Sequence, residues 1–70
     1  MSARRKARTD ARVDGHGSVV LVRPLTAAAT AWLKEHTDGT WFGGALAVEP
    51  RYVLNLVAGM REDGFTVEAA

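Results

Sequence analysis

The chain lacks cysteine entirely and has only two prolines among its 70 residues. Without cysteine it forms no disulfide and offers no thiolate to a metal ion, which is compatible with a reducing cytoplasm. Its longest apolar stretches, at 19–22 and 45–48, are far shorter than the roughly 20 residues that cross a bilayer. The basic N-terminus has no apolar core or cleavage site of a secretory signal. We therefore expect a cytoplasmic protein without a membrane partner.

Seventy residues suffice for one small domain, which buries only about 60% of the surface that its unfolded chain exposes. At this length the hydrophobic gain and the entropy of ordering nearly cancel. Without disulfides, the simplest source of further burial is a second chain. We therefore expect self-association, most simply as a homodimer.

The formal net charge of +1 hides an uneven distribution. Residues 1–16 hold five basic and two acidic side chains, whereas the remainder holds four basic and six acidic ones. We interpret residues 1–16 as a basic, disordered or weakly helical arm and residues 17–70 as a compact domain. Clustered cations neutralise nucleic-acid phosphates, so the arm supplies the candidate nucleic-acid ligands. These are Arg4, Arg5, Lys6, Arg8 and Arg12.

The pattern from Ser18 onward predicts strand, helix, strand, helix, strand. The first strand, Ser18 to Val22, is apolar on both alternating faces, which favours the centre of a sheet. Thr26 is a good N-cap for a helix from about Ala27 to His36, and Pro50 suits the first turn of a second helix to about Glu62. Further strands are expected at 45–48 and 65–68.

This order predicts an α/β or α+β fold with a three-stranded sheet and two helices packed on it. Each helix is long enough to return the chain for a parallel neighbouring strand, although antiparallel pairing of one strand remains open. Three strands with helices on one side would also leave an apolar sheet face or edge exposed. The pattern does not decide which residues face outward; the possible contributors are Val20, Val22, Ala45, Ala47 and Val67.

Several segments resemble a family of small hypothetical proteins from GC-rich proteobacteria, often carried on plasmids, prophages and other mobile elements. The resemblance spans most of residues 17–70 and none of the basic arm. It implies a bacterial cytoplasmic accessory protein and transfers no catalytic or ligand residue. The segments that carry it are GSVVLVRPLT at 17–26, WL at 32–33 with His36, WFGGALAVEPRY at 41–52, GM at 59–60 and DGF at 63–65.

The leading candidate surface for a protein partner is the segment Trp41-Phe42-Gly43-Gly44. Aromatic anchors supply much of the binding energy of protein interfaces. The alternative is that these aromatics close the end of the core while the glycines permit a bulge. We expect one of Trp41 and Phe42 to be packed and the other exposed.

A second candidate surface combines four residues, Arg23, Thr26, Arg51 and Tyr52. If the strands that precede the two arginines are parallel, both residues lie at one sheet edge, where helix N-termini also attract anions. The alternative is a pair of solvated charges, with Glu49 cancelling part of the field. No glycine-rich phosphate loop follows the first strand.

No catalytic or metal constellation stands out, and we expect neither an enzyme nor a cofactor. His16 lies in a glycine-rich joint, and His36 falls on the inward stripe of the first helix. The only serines are Ser2 in the arm and Ser18 in a strand, so no activated serine–histidine pair is suggested. The leading hypothesis is a non-enzymatic protein-interaction module whose partner is itself, a host protein or an element-encoded protein. The alternative is nucleic-acid binding by the arm, with Trp41 or Tyr52 stacking on bases.

Overall fold

In the computed structural model, residues 8–69 are described, and they form five strands and two helices. In chain order these elements are β1 Ala11–His16, β2 Val19–Pro24, α1 Ala27–His36, β3 Thr40–Phe42, β4 Ala45–Val48, α2 Pro50–Glu62 and β5 Val67–Ala69. The two helices and the α+β class confirm the general prediction. The three-stranded sheet is wrong, because β1 and β3 add two strands.

The sheet has the order β3-β4-β2-β1-β5. β2 therefore occupies the centre, as its two-sided apolar sequence predicts. All neighbouring pairs are antiparallel except β1 with β5. β2 and β4 pair antiparallel rather than parallel, because the β3–β4 hairpin intervenes after α1 and reverses the direction in which β4 runs beside β2.

The prediction of a disordered or weakly helical arm over residues 1–16 is also wrong from Asp10 onward. The Asp10 side chain accepts a hydrogen bond from the Thr66 backbone, and the Asp10 backbone N–H and C=O bond Thr66 and Leu25. Ala11 is then fully buried, and β1 pairs along its whole length with β2. Of the candidate nucleic-acid ligands, Arg4, Arg5 and Lys6 lie outside the described residues.

Both helices pack on one face of the sheet. Their buried residues, Ala29 and Leu33 of α1 and Val57 and Met60 of α2, form a single cluster with inward side chains of the strands. The strand residues of this cluster are Ala11, Val22, Leu46 and Val67. His36, which we expected on the inward stripe of α1, is exposed.

The helix ends follow from local chemistry. The Thr26 hydroxyl accepts a hydrogen bond from the Ala29 N–H, which confirms the predicted N-cap of α1. At the end of α2, the Phe65 N–H bonds the Met60 carbonyl and the Gly64 N–H bonds the Arg61 carbonyl. This pair of bonds is the Schellman motif, which Gly64 permits by adopting a φ of 95°.

Candidate functional site

The candidate site is the sheet face opposite the helices, which we call the open face. Cross-strand partners point to the same side of a sheet, and alternate residues along a strand point to opposite sides. The strand registers therefore place one set of side chains away from the helical layer. The set comprises Arg12, Asp14, His16, Val19, Leu21, Arg23, Thr40, Phe42, Ala45, Ala47 and Glu68.

A row of side chains crosses the open face from β5 to β3. The registers align Glu68 with Arg12, Arg12 with Arg23, and Phe42 with Ala45. Continuing the β2–β4 register by one residue places Arg23 beside Ala45. The row thus begins with charged side chains and ends with an aromatic one.

A second row lies two residues further along the strands. It runs from Asp14 to Leu21, then to Ala47 and Thr40. Leu21 and Ala47 are half-buried, as is Val19 beyond them. The open face therefore has an apolar half on β2, β4 and β3 and a charged half on β1 and β5.

Phe42 is the most exposed apolar side chain of the open face, with 61% of its surface accessible. It stands at the end of β3, where Gly43 and Gly44 turn the chain into β4 with φ values of 52° and 88°. Two successive positive φ angles are typical of a type I′ hairpin turn. The turn fixes Phe42 opposite Ala45 rather than leaving it in a loose loop.

Trp41 points the other way and packs against the core. The Lys34 ammonium lies 5.9 Å from the centre of its ring. One aromatic of the pair is thus packed and its neighbour exposed, because adjacent strand residues face opposite sides.

Charges on the open face are close to balanced. Arg12 pairs with Glu68 at 3.4 Å, and both side chains are about half exposed, so this pair contributes little to stability. His16 lies 3.6 Å from Asp14 near the hairpin end of the face. Arg23 forms no ion pair within residues 8–69. The face combines both signs of charge with an apolar strip and does not form a basic patch.

The predicted pairing of Arg23 with Arg51 does not occur. Because β2 and β4 are antiparallel, the end of β2 at Arg23 lies beside the start of β4, whereas Arg51 follows the end of β4. The two arginines therefore lie at opposite ends of the strand pair and do not form a joint anion site. Arg51 instead bonds Glu49 at 3.0 Å and lies 5.1 Å from the Tyr52 ring centre.

Tyr52 lines a separate groove of about 580 Å³ between the helices. Its floor includes Leu46 and Val48, and its α1 wall carries Trp32 and His36 with rings stacked at 4.0 Å. The Trp32 indole N–H donates to Asp63 at 2.6 Å and so holds this wall to the end of α2. The groove and the open face are on opposite sides of the sheet.

Leu21 and Val19 are the site residues that the sequence interpretation missed. Both belong to the strand that is apolar on two sides, for which the sequence suggested Val20 and Val22 as contributors. The registers turn Val20 and Val22 toward the helices instead. The alternation of Ala11, Arg12, Val13 and Asp14 held the missing signal, because it defines an inward and an outward face for the neighbouring strand.

Within residues 8–69 no group of three or more histidines and carboxylates is placed to hold a metal ion. No helix in this range is long and apolar enough to span a membrane.

Comparison with known proteins gives no relative from which a function could be transferred. No family model matches the chain, and neither a curated protein nor a solved structure is significantly similar to it. The resemblance to small proteins of proteobacterial mobile elements therefore stays a prediction, and the functional argument rests on the open face.

Proposed function

We propose that the protein is a non-enzymatic interaction module that binds a protein partner through its open face. The observation that carries the proposal is the apolar strip of Val19, Leu21, Ala47 and Phe42 on a sheet face that neither helix covers. Exposed contiguous apolar surface with a polar rim is characteristic of protein interaction sites. Arg12, Arg23 and Asp14 supply that rim.

The two predicted aromatic anchors have different parts in this proposal. Phe42 reaches solvent and contacts the partner, whereas Trp41 supports β3 from the core side. Arg23, which forms no ion pair with another described residue, contributes its guanidinium at the centre of the row that runs from Glu68 to Phe42. Arg51 and Tyr52 lie away from the open face, and their contact with a partner remains a separate prediction.

The proposed setting is the bacterial cytoplasm, in an accessory protein of a mobile element. This setting follows from the sequence resemblance and the absence of cysteine, and the open face does not depend on it. The proposed lack of catalysis rests on the sequence, where neither serine nor histidine occurs in a recognisable nucleophile arrangement.

Affinity capture with matched variants tests the open face. Leu21→Glu places a charge in the apolar strip, whereas Leu54→Glu makes the same change on α2 at a side chain that is 82% exposed. We expect proteins retained by the wild type and by Leu54→Glu to be lost with Leu21→Glu, because an unpaired charge is costly to bury in an interface. Retention of the same proteins by all three baits would rule out the open face as the contact surface.

A second candidate function is binding of single-stranded nucleic acid. One observation favours it: β1 brings Arg12 beside Arg23 in the row that ends at Phe42, so cations and an aromatic ring share a surface. Arginines on phosphates with an aromatic platform for bases are the common elements of such sites. The acidic residues Asp14 and Glu68 on the same face weigh against it.

Gel shifts with a single-stranded oligonucleotide at low and moderate salt test this candidate. If it is correct, we expect binding that falls steeply with salt, that weakens on deletion of residues 1–7, and that weakens again with Phe42→Ala. Absence of any shift at low salt would reject it.

A further inference from the structure

The open face is complementary to itself, and we propose that its partner is a second copy of this chain. This inference rests on the proposed function and adds the identity of the partner. Two copies stack their open faces around a two-fold axis, so that β2 and β4 of one copy cover β2 and β4 of the other. A two-fold interface uses the same patch on both chains, and that patch must therefore match itself in shape and charge.

The proposed axis is the one that brings opposite charges of the two copies together. An axis parallel to the strands between β1 and β2 would place Arg12 of one copy on Arg23 of the other, which is repulsive. The proposed axis lies in the plane of the interface, perpendicular to the strands and midway between the two rows. It stacks each strand on the same strand of the other copy, so that a residue of one row lies over the residue of the other row. Arg12 of each copy then meets Asp14 of the other, and two opposite-charge contacts form.

The same axis matches the apolar side chains. Ala47 lies over Ala45, which is already fully buried within its own copy, and the aliphatic stem of Arg23 lies over Leu21. Phe42 lies over Thr40 and flanks the small alanines. Small side chains at the centre let two sheets approach to about 10 Å, the usual spacing of stacked sheets. No like charges are brought together by this arrangement.

The size of the face sets the strength of the contact. Five strands at about 4.8 Å spacing span roughly 24 Å, and only two to three rows of side chains lie along the strands. Such a face falls at the small end of protein interfaces, so we expect reversible dimerisation in the micromolar range. The dimer would cover the open face, which neither helix of the 70-residue chain covers.

Charge reversal at two positions tests the arrangement with the full chain. Arg12→Asp places an aspartate over Asp14 of the other copy, and Asp14→Arg places an arginine over Arg12. Each variant alone should dimerise at least about tenfold more weakly than the wild type, because opposite charges become like charges. Mixed in equal amounts, the two variants should form a heterodimer close to wild-type strength, since both contacts regain opposite charges.

Sedimentation equilibrium from about 5 to about 500 µM, which spans the expected range, measures these affinities. Circular dichroism establishes that each variant is folded, and Leu54→Glu serves as a control that should dimerise like the wild type. Two results would overturn the proposal that the partner is a second copy. One is a wild type that stays monomeric over the whole range, and the other is a mixture that dimerises no more strongly than either variant alone. If capture of another protein still depends on Leu21 in that case, the proposed function survives. If capture does not depend on Leu21 either, the proposed function and the proposed dimer both fail.

Discussion

Deletion of residues 1–14 is expected to unfold the protein, although that segment reads as a solvated basic tail. The deletion removes the first four residues of β1, including Ala11 and Val13, whose side chains belong to the core or pack against it. It also removes every residue that β5 pairs with, because β5 contacts the sheet only through 11–13 of β1. A domain of this length is stable by only about 4 to 10 kcal/mol, too little to survive the loss of an internal strand.

Deletion of residues 1–7 is the matched control. It retains Asp10 with its bonds to Thr66 and Leu25, and it leaves all of β1 in place. Thermal melting followed by circular dichroism should show a cooperative transition for the shorter deletion and none for the longer one. A folded, cooperatively melting protein without residues 1–14 would show that β1 is dispensable, contrary to the topology described above.

Replacement of Leu33 by alanine is expected to destabilise the fold by about 2 to 5 kcal/mol. Leu33 is fully buried and is among the largest side chains of the core, where α1 meets the sheet. Its truncation removes apolar burial and leaves a cavity that close-packed neighbours refill only in part. The loss would amount to a large share of the total stability.

Leu54→Ala makes the same chemical change on α2 at a position that is 82% exposed. We expect it to alter stability by less than about 0.5 kcal/mol. Urea denaturation of both variants provides the comparison. Equal effects at the two positions, or a loss below about 1 kcal/mol at Leu33, would contradict the placement of α1 against the sheet.

The helices could be predicted from sequence because their signals are local. Thr26 and Pro50 mark the two starts, and Gly64 marks one end by a conformation that glycine adopts most easily. The apolar spacing of each helix then fixes its buried stripe. His36 departs from this stripe because it lies in the last turn of α1, where its ring stacks on Trp32 instead of entering the core.

The sheet was harder to predict because pairing joins residues that are distant in sequence. β1 alternates apolar with charged residues, and the charges of Arg12 and Asp14 resemble those of a solvated tail when the strand is considered alone. Gly43-Gly44 between two apolar runs is a hairpin signal, but β3 is only three residues long. The open face can be predicted only when the β1–β2 and β3–β4 hairpins are both recognised, because their pairing determines that Leu21 and Ala47 point away from the helices.

Solvent relaxation of methyl groups by a soluble paramagnetic chelate measures most directly whether the open face is the contact surface. In dilute protein, the methyl groups of Leu21 and Ala47 should relax faster than those of Val22 and Leu46, which face the helices and are buried. At high protein concentration, or with a captured partner, Leu21 and Ala47 should become protected while Leu54 stays accessible. Protection centred on Leu54, or no protection at Leu21 and Ala47 under either condition, would contradict a binding role for the open face.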